Sequence, residues 1–253
     1  MVLFETVCVA FSMFSALPVP HISWSERNMK YSLLAFPLIG AVIAAAMLLW
    51  DLFAGKLGLP SILRGAGFCL IPLWITGGIH LDGYADTWDA ISSHGDIEKR
   101  RIILGDPHIG AFGVMHLGIW FTASAALWIA LPRFAFLPAL ACFCLSRSLS
   151  ALALTVYPLR PGAGIARSFA DASARERVRT ILLVASVVCA LLMLCSGAWA
   201  MIPAAGAVFL YYGHMAKKHF GGISGDLAGW FLQTAELAML AAWCLQQYGG
   251  NLQ

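Results

Sequence analysis

The chain has 253 residues, of which 60% are hydrophobic and only 11% charged, with a formal net charge of +3 and a mean hydropathy of +0.79. Soluble domains carry about 25% charged residues, so this composition excludes an ordinary water-soluble fold. It predicts an all-α, polytopic integral membrane bundle, a single membrane-embedded domain over residues 1–253 with no room for a separate soluble one.

Residues 1–16 are apolar and end at Leu17-Pro18-Val19-Pro20; they either span or lie at the interface. Glu5 and the lack of a basic start argue against a cleaved signal peptide. A polar loop at 21–30 leads to an apolar span at 31–53, a short link at 54–59 and a third apolar segment at 61–78. An acidic and polar stretch fills 80–108. Spans are predicted at 109–131, 135–157, 180–195, 199–215 and 227–245, about 7–8 transmembrane helices in all. Between them lie the Arg-rich loop 158–179 and the segment Lys217-Lys218-His219-Phe220-Gly221-Gly222-Ile223-Ser224-Gly225-Asp226. The seven cysteines sit mostly inside apolar segments with no CxxC pair, and read as small packing residues.

Loop charge sets the orientation. Of the sixteen Lys and Arg residues, all but Lys56, Arg64, Arg133 and Arg147 fall on one side if the predicted spans alternate. The positive-inside rule makes that side cytoplasmic. The acidic stretch, the Arg-rich loop and the Gly-Gly-x-x-Gly-Asp segment then share the cytoplasmic face. The basic residues are scattered over membrane loops, which argues against a nucleic-acid partner.

Thr76-Gly77-Gly78-Ile79-His80-Leu81-Asp82-Gly83-Tyr84-Ala85-Asp86-Thr87-Trp88-Asp89 is the densest motif. On a helix, Asp82, Asp86 and Asp89 fall within roughly 60° of one another. Three acids on one face commonly mean only solvent exposure. Here they are threaded with Ile79, Tyr84, Trp88 and Ile91, and a shared divalent cation is the physical reason to tolerate such a cluster. Oxygen-only ligation points to Mg²⁺ or Mn²⁺, and the chemistry it suits is phosphoryl transfer. Gly83 lets a substrate approach the backbone, and His80 is a general base or a phosphate donor.

Further candidates follow the same logic. Asp106 either caps the next helix or joins the site. Arg160 and Arg167, in a glycine-rich loop, suit phosphate or carboxylate recognition. Arg147, inside an apolar span, requires a functional role or a buried partner, and so does Glu236. Asp226 is an N-cap or a site residue. No Walker A, GxGxxG or Ser-His-Asp pattern is present.

The same motif strongly resembles the signature of the cobalamin synthase, or adenosylcobinamide-GDP ribazoletransferase, family. The similarity continues through Pro18-Val19-Pro20, Phe36-Pro37-Leu38-Ile39-Gly40, Asp106 with Gly110 and Gly113, Arg160-Pro161 with Gly162 and Gly164, and Gly221-Gly222 with Gly225-Asp226. Gly105-Asp106-Pro107-His108 stands where Lys-Asp-Ser-Arg is commoner. The resemblance implies an inner-membrane, Mg²⁺-dependent enzyme whose active site faces the cytoplasm. Its substrates would be adenosylcobinamide-GDP and α-ribazole or its 5′-phosphate, its products the cobamide and GMP. Self-association, or association with other cobamide-assembly enzymes, is compatible with it. Two other classes compete. A CDP-alcohol phosphotransferase would show Asp-Gly-x-x-Ala-Arg, but Ala85 is followed by Asp86, and an aspartate-rich prenyltransferase needs a second Asp-rich motif. A secondary transporter would use broken repeats, and none is evident.

Overall fold

A computed structural model describes residues 2–250, apart from the Ile165 side chain, as a bundle of α-helices. In chain order these are α1 (Val2–Phe14), α2 (Glu26–Met29), a 3-10 turn (Ser32–Ala35), α3 (Phe36–Lys56), α4 (Ser61–Thr76), α5 (Ile79–Ser92), α6 (Ile97–Leu104), α7 (Ala111–Ala130), α8 (Phe136–Val156), α9 (Ile165–Ala172), α10 (Arg175–Cys195), α11 (Met201–Phe220) and α12 (Gly225–Gly250). Among the described residues there is no β-strand, only an isolated bridge between Leu159 and Ile223.

Among the described residues, four segments are long and apolar enough to cross a bilayer: Ser32–Lys56, Ala111–Ala130, Phe136–Val156 and Arg175–Cys195. The α4–α5 pair passes only as a bent unit, with a turn of 95° between its halves. Helices α11 and α12, of 20 and 26 residues, have the length to span at 1.5 Å per residue. In α12 the polar Gln233 and Glu236 are turned inward, whereas the charged Lys217 and Lys218 of α11 are exposed in its last turn. Helix α1, at 13 residues, is shorter than the roughly 20 a span needs and packs instead on α2, the 3-10 turn and α3. Of the two arrangements the sequence left open for residues 1–16, the structure fits the one that does not span.

Each span is apolar outside and tightly packed inside. Ile181, Val184, Val187, Val188 and Leu191 on α10 are exposed to what would be lipid, while Val178, Leu182, Cys189 and Met193 are buried. The most enclosed helix is α8. It packs α3 and α10 on its flanks, buries small residues such as Ala139, Ser146 and Ser150, and comes backbone to backbone with α3 where Gly40 meets Phe143.

Inside this core lies one ion pair. Arg147 of α8 is 1% exposed, and its Nη1 donates to Glu236 Oε1 of α12 at 2.6 Å. Ser146 Oγ donates to the same oxygen at 2.7 Å. An isolated charge in hydrocarbon is strongly unfavourable, so the two residues that sequence reasoning marked as needing buried partners satisfy each other.

The helices alternate so that the ends at Phe36, Thr76, Ala111, Val156, Arg175, Phe220 and Gly225 gather on one face. Contacts between distant segments confirm the gathering: Arg101 Nε donates to the Phe220 carbonyl at 2.9 Å, and the Ala174 amide to the Lys30 carbonyl at 3.2 Å. The opposite face is tied by Gln247, which donates to the Arg133 carbonyl at 3.0 Å, and by Tyr248, which donates to the Ala130 carbonyl at 2.7 Å.

Candidate active site

The site begins at the break between α4 and α5. Pro72 lies in the last turns of α4, and Gly77 and Gly78 both adopt left-handed backbone. The chain therefore turns through 95°, and α5 lies across the gathered helix ends instead of continuing through the membrane. It crosses the start of α12 closely. A Cβ on Gly83 would sit 2.7 Å from the Asp226 carbonyl oxygen, and one on Gly229 would sit 2.7 Å from that of His80. Glycine at both crossing points lets the backbones touch, and this contact carries Asp226 to the aspartate face of α5.

The three aspartates of α5 part company in the structure. Asp89 points to the start of α7, where Oδ2 accepts the Gly110 amide and Oδ1 the Gly113 amide, each at 2.8 Å. It satisfies amides that the first turn of a helix leaves unpaired. The sequence left Asp106 either capping this helix or joining the site. The structure gives the capping to Asp89, twenty-one residues upstream of Gly110. Asp106 instead accepts the His108 amide at 2.9 Å and pairs with His108 Nδ1 at 2.8 Å, in an exposed turn.

Asp82 and Asp86 remain beside Asp226. Burial first, then the negative charges of Asp82, Asp226 and Asp89, push the Asp86 carboxyl up to about 7. Among the described residues no three metal-binding side chains converge closely enough to hold an ion alone. Mg²⁺ is characteristically held by one or two carboxylates, several waters and substrate phosphate oxygens. An all-oxygen pair with excess negative charge fits that pattern, with Asp82 and Asp86 as the protein's contribution.

Arg160 is the cation paired with Asp226. Gly222, at φ 147°, allows the segment after α11 to run beside the loop after α8, since a Cβ there would meet the Arg160 amide nitrogen at 2.6 Å. The Arg160 amide donates to the Ile223 carbonyl at 3.0 Å, and the Ile223 amide to the Pro158 carbonyl at 2.9 Å. This small ladder sets the Arg160 guanidinium 4.0 Å from Asp226 Oδ2. Arg167 lies elsewhere, exposed on the outer side of α9.

These groups form the polar end of a cavity of about 450 Å³. Asp82, Arg160, Asp226 and His80 line that end, and Phe14, Leu33, Phe36, Leu154, Phe169 and Leu232 line much of the rest. His80 is 6% exposed and its Nε2 has no hydrogen-bond partner. Burial first, and the positive charge of Arg147 second, hold its imidazole down to about 3, so it is neutral and a weak base. Arg147 itself does not line the cavity.

Sequence patterning thus singled out every charged group at the polar end. It missed the apolar chamber, because Phe14, Phe36 and Phe169 look like any other core or lipid-facing residue. The partners of Arg100 and Arg101, His219 Nδ1 at 2.7 Å and the Phe220 carbonyl, lie across the fold. Nothing in their local sequence marks those partners.

A polytopic helical bundle with paired carboxylates and an arginine at the mouth of an internal cavity defines a membrane-embedded enzyme that handles phosphate groups. A family model described as Cobalamin-5-phosphate synthase matches residues 6–244. The chain is 36% identical over 236 residues to an adenosylcobinamide-GDP ribazoletransferase of Lachnoclostridium phytofermentans, covering 92% of this chain and 90% of that protein. Proteins of the same name match from Pseudomonas putida W619, at 34% identity over 92% of this chain and 95% of the relative, and from Clostridium botulinum Alaska E43, at 30% over 96% and 98%. No solved structure matches. The chain belongs to the cobalamin-5-phosphate synthase family, and is a membrane transferase of cobalamin biosynthesis.

Proposed function

We propose that this enzyme joins adenosylcobinamide-GDP to α-ribazole, or to its 5′-phosphate, at the cytoplasmic face of the inner membrane. The ribazole 3′-hydroxyl oxygen forms a bond to the cobinamide-linked phosphorus. The bond from that phosphorus to the oxygen bridging the diphosphate breaks, and GMP departs with the electron pair. The hydroxyl proton passes to a carboxylate.

The observation that carries this reading is the meeting of Asp82, Asp226 and Arg160 at one end of the cavity, assembled from three chain segments, with Asp86 close enough to Asp82 and Asp226 to feel their charge. Asp82 and Asp86 would hold Mg²⁺, which when bound would neutralise diphosphate oxygens and stabilise charge on the leaving GMP. Arg160 supplies a fixed cation for a phosphate oxygen and is oriented by Asp226. Asp82 and Asp226 face the cavity and are the carboxylates positioned to take the hydroxyl proton. The neutral His80 offers a hydrogen bond at the boundary between the polar and apolar ends. Asp89 acts through structure, holding α7 against α5. The cytoplasmic assignment rests on loop charge, because the site lies on the face that gathers the basic loops.

The test is Asp86→Ala in purified protein supplied with both substrates. Loss of cobamide formation together with loss of Mg²⁺ binding supports the metal role. Retained synthesis with unchanged Mg²⁺ dependence removes it.

A further inference from the structure

The reaction needs two bulky substrates, and the cavity has room for one small part of them. Drug-sized ligands fill pockets of roughly 300–1,000 Å³. A chamber of about 450 Å³ accepts a bicyclic aromatic riboside and is too small for a corrin ring with its amide side chains. Its walls divide by chemistry. Three phenylalanines from separate segments, Phe14, Phe36 and Phe169, stand together at the apolar end, with Phe14 centred 4.4 Å from Phe36 and 5.4 Å from Phe169. At the polar end lie Asp82, Asp226 and Arg160, together with His80, a nearly fully buried imidazole with an unpartnered Nε2.

We infer that this cavity is the acceptor-nucleoside subsite, with the aromatic base packed against the cluster formed by Phe14, Phe36 and Phe169 and the ribose directed at the carboxylates, while the corrinoid stays outside. The inference rests on the transfer reaction proposed above and adds which substrate enters and which residues select its base. Aromatic walls suit a flat apolar ring system. An acyl chain would fill the apolar end equally well but would leave the buried His80 Nε2 without a polar partner and offer nothing to Asp82, at a free-energy cost. Two small residues set the room available: Ala151 on α8, 1% exposed, and Ala166 on α9, 9% exposed, both lining the cavity.

The experiment uses full-length protein in nanodiscs. Binding of α-ribazole is measured by its benzimidazole fluorescence without the corrinoid, and KM is measured for each substrate. Ala166→Leu and Ala151→Val remove space. They are expected to weaken α-ribazole binding and raise its KM by about tenfold, with the KM for adenosylcobinamide-GDP unchanged, as methylene-scale pocket changes do. Phe169→Ala adds space and shifts preference from dimethylbenzimidazole toward a tricyclic naphthimidazole riboside, which keeps the test decisive if a filled variant fails to fold. The inference is overturned if these variants raise the KM for adenosylcobinamide-GDP instead, if the nucleoside KM and base preference stay unchanged, or if a lipid chain occupies the cavity and α-ribazole does not displace it. Wild-type protein that binds α-ribazole but releases no GMP contradicts the transfer reaction alone. Wild-type release of GMP with unmoved variants contradicts the subsite alone.

Discussion

Gly83 of α5 and Asp226 of α12 meet backbone to backbone, so closely that a methyl group on Gly83 would lie 2.7 Å from the Asp226 carbonyl oxygen and 2.8 Å from its Cα. That contact joins the two aspartate-bearing segments into one site. The clash is with backbone, which cannot rotate away. We therefore expect Gly83→Ala to separate the helices, cost about 1–3 kcal/mol of stability and lower kcat by at least about tenfold, an effect of about 1.4 kcal/mol on the barrier. Thermal unfolding and steady-state rates measured on the same preparation check both.

Asp89 and Asp86 are expected to fail differently when replaced. Asp89→Ala removes the acceptor for the Gly110 and Gly113 amides and should cost about 1–2 kcal/mol of stability, the range for lost helix caps. Mg²⁺ affinity of the folded fraction should change little. Asp86→Ala should do the reverse, abolishing Mg²⁺ binding while raising stability in the absence of metal, because it removes a half-buried carboxylate crowded by like charges. Calorimetric Mg²⁺ titration separates the two.

The raised Asp86 carboxyl predicts a pH dependence. Its folded value of about 7 lies above the unfolded value near 4, so without metal its contribution to stability is fully present below about pH 4 and is lost as pH rises through 7. Mg²⁺ held at Asp86 as proposed would compete with that proton. Its apparent affinity should fall about tenfold per pH unit below 7 and level off above it, and Mg²⁺ should raise the melting temperature more at pH 8 than at pH 6.

The pair of Arg147 and Glu236 predicts a stability effect apart from catalysis. Glu236→Ala leaves a buried guanidinium unpaired and should destabilise by about 3–5 kcal/mol, whereas the double change Arg147→Met with Glu236→Leu should recover most of that loss. Unfolding of the single and double variants in detergent tests it. A KM for adenosylcobinamide-GDP that rises in the double variant would instead place Arg147 at the substrate.

Much of this architecture is legible in the sequence because a bilayer imposes simple rules. Apolar length located α3, α7, α8 and α10, and loop charge located the face where the site assembles. Asp82, Asp86, Arg160 and Asp226 stand out because ionisable groups are scarce in such a chain. The division of labour among the aspartates is not legible. A regular helix places Asp89 on the same stripe as Asp82 and Asp86, and only the approach of the Gly110–Gly113 turn, fixed by tertiary packing, engages both its oxygens. Arg147 and Glu236 each announce a need for a partner, but their pairing across 89 residues depends on how α8 and α12 face each other. The cavity is hidden for a related reason, since apolar residues facing a chamber, a core or lipid share one alphabet.

The central claim is that the carboxylates at the polar end support transfer from a GDP-linked corrinoid to a ribazole. The most direct measurement supplies purified protein in nanodiscs with labelled adenosylcobinamide-GDP and α-ribazole, with and without Mg²⁺, and follows GMP and cobamide together. Equimolar GMP and cobamide are expected from the wild type only with Mg²⁺, and neither from Asp82→Ala or Asp86→Ala. Equimolar products from those variants, or from the wild type freed of divalent metal, would contradict the claim.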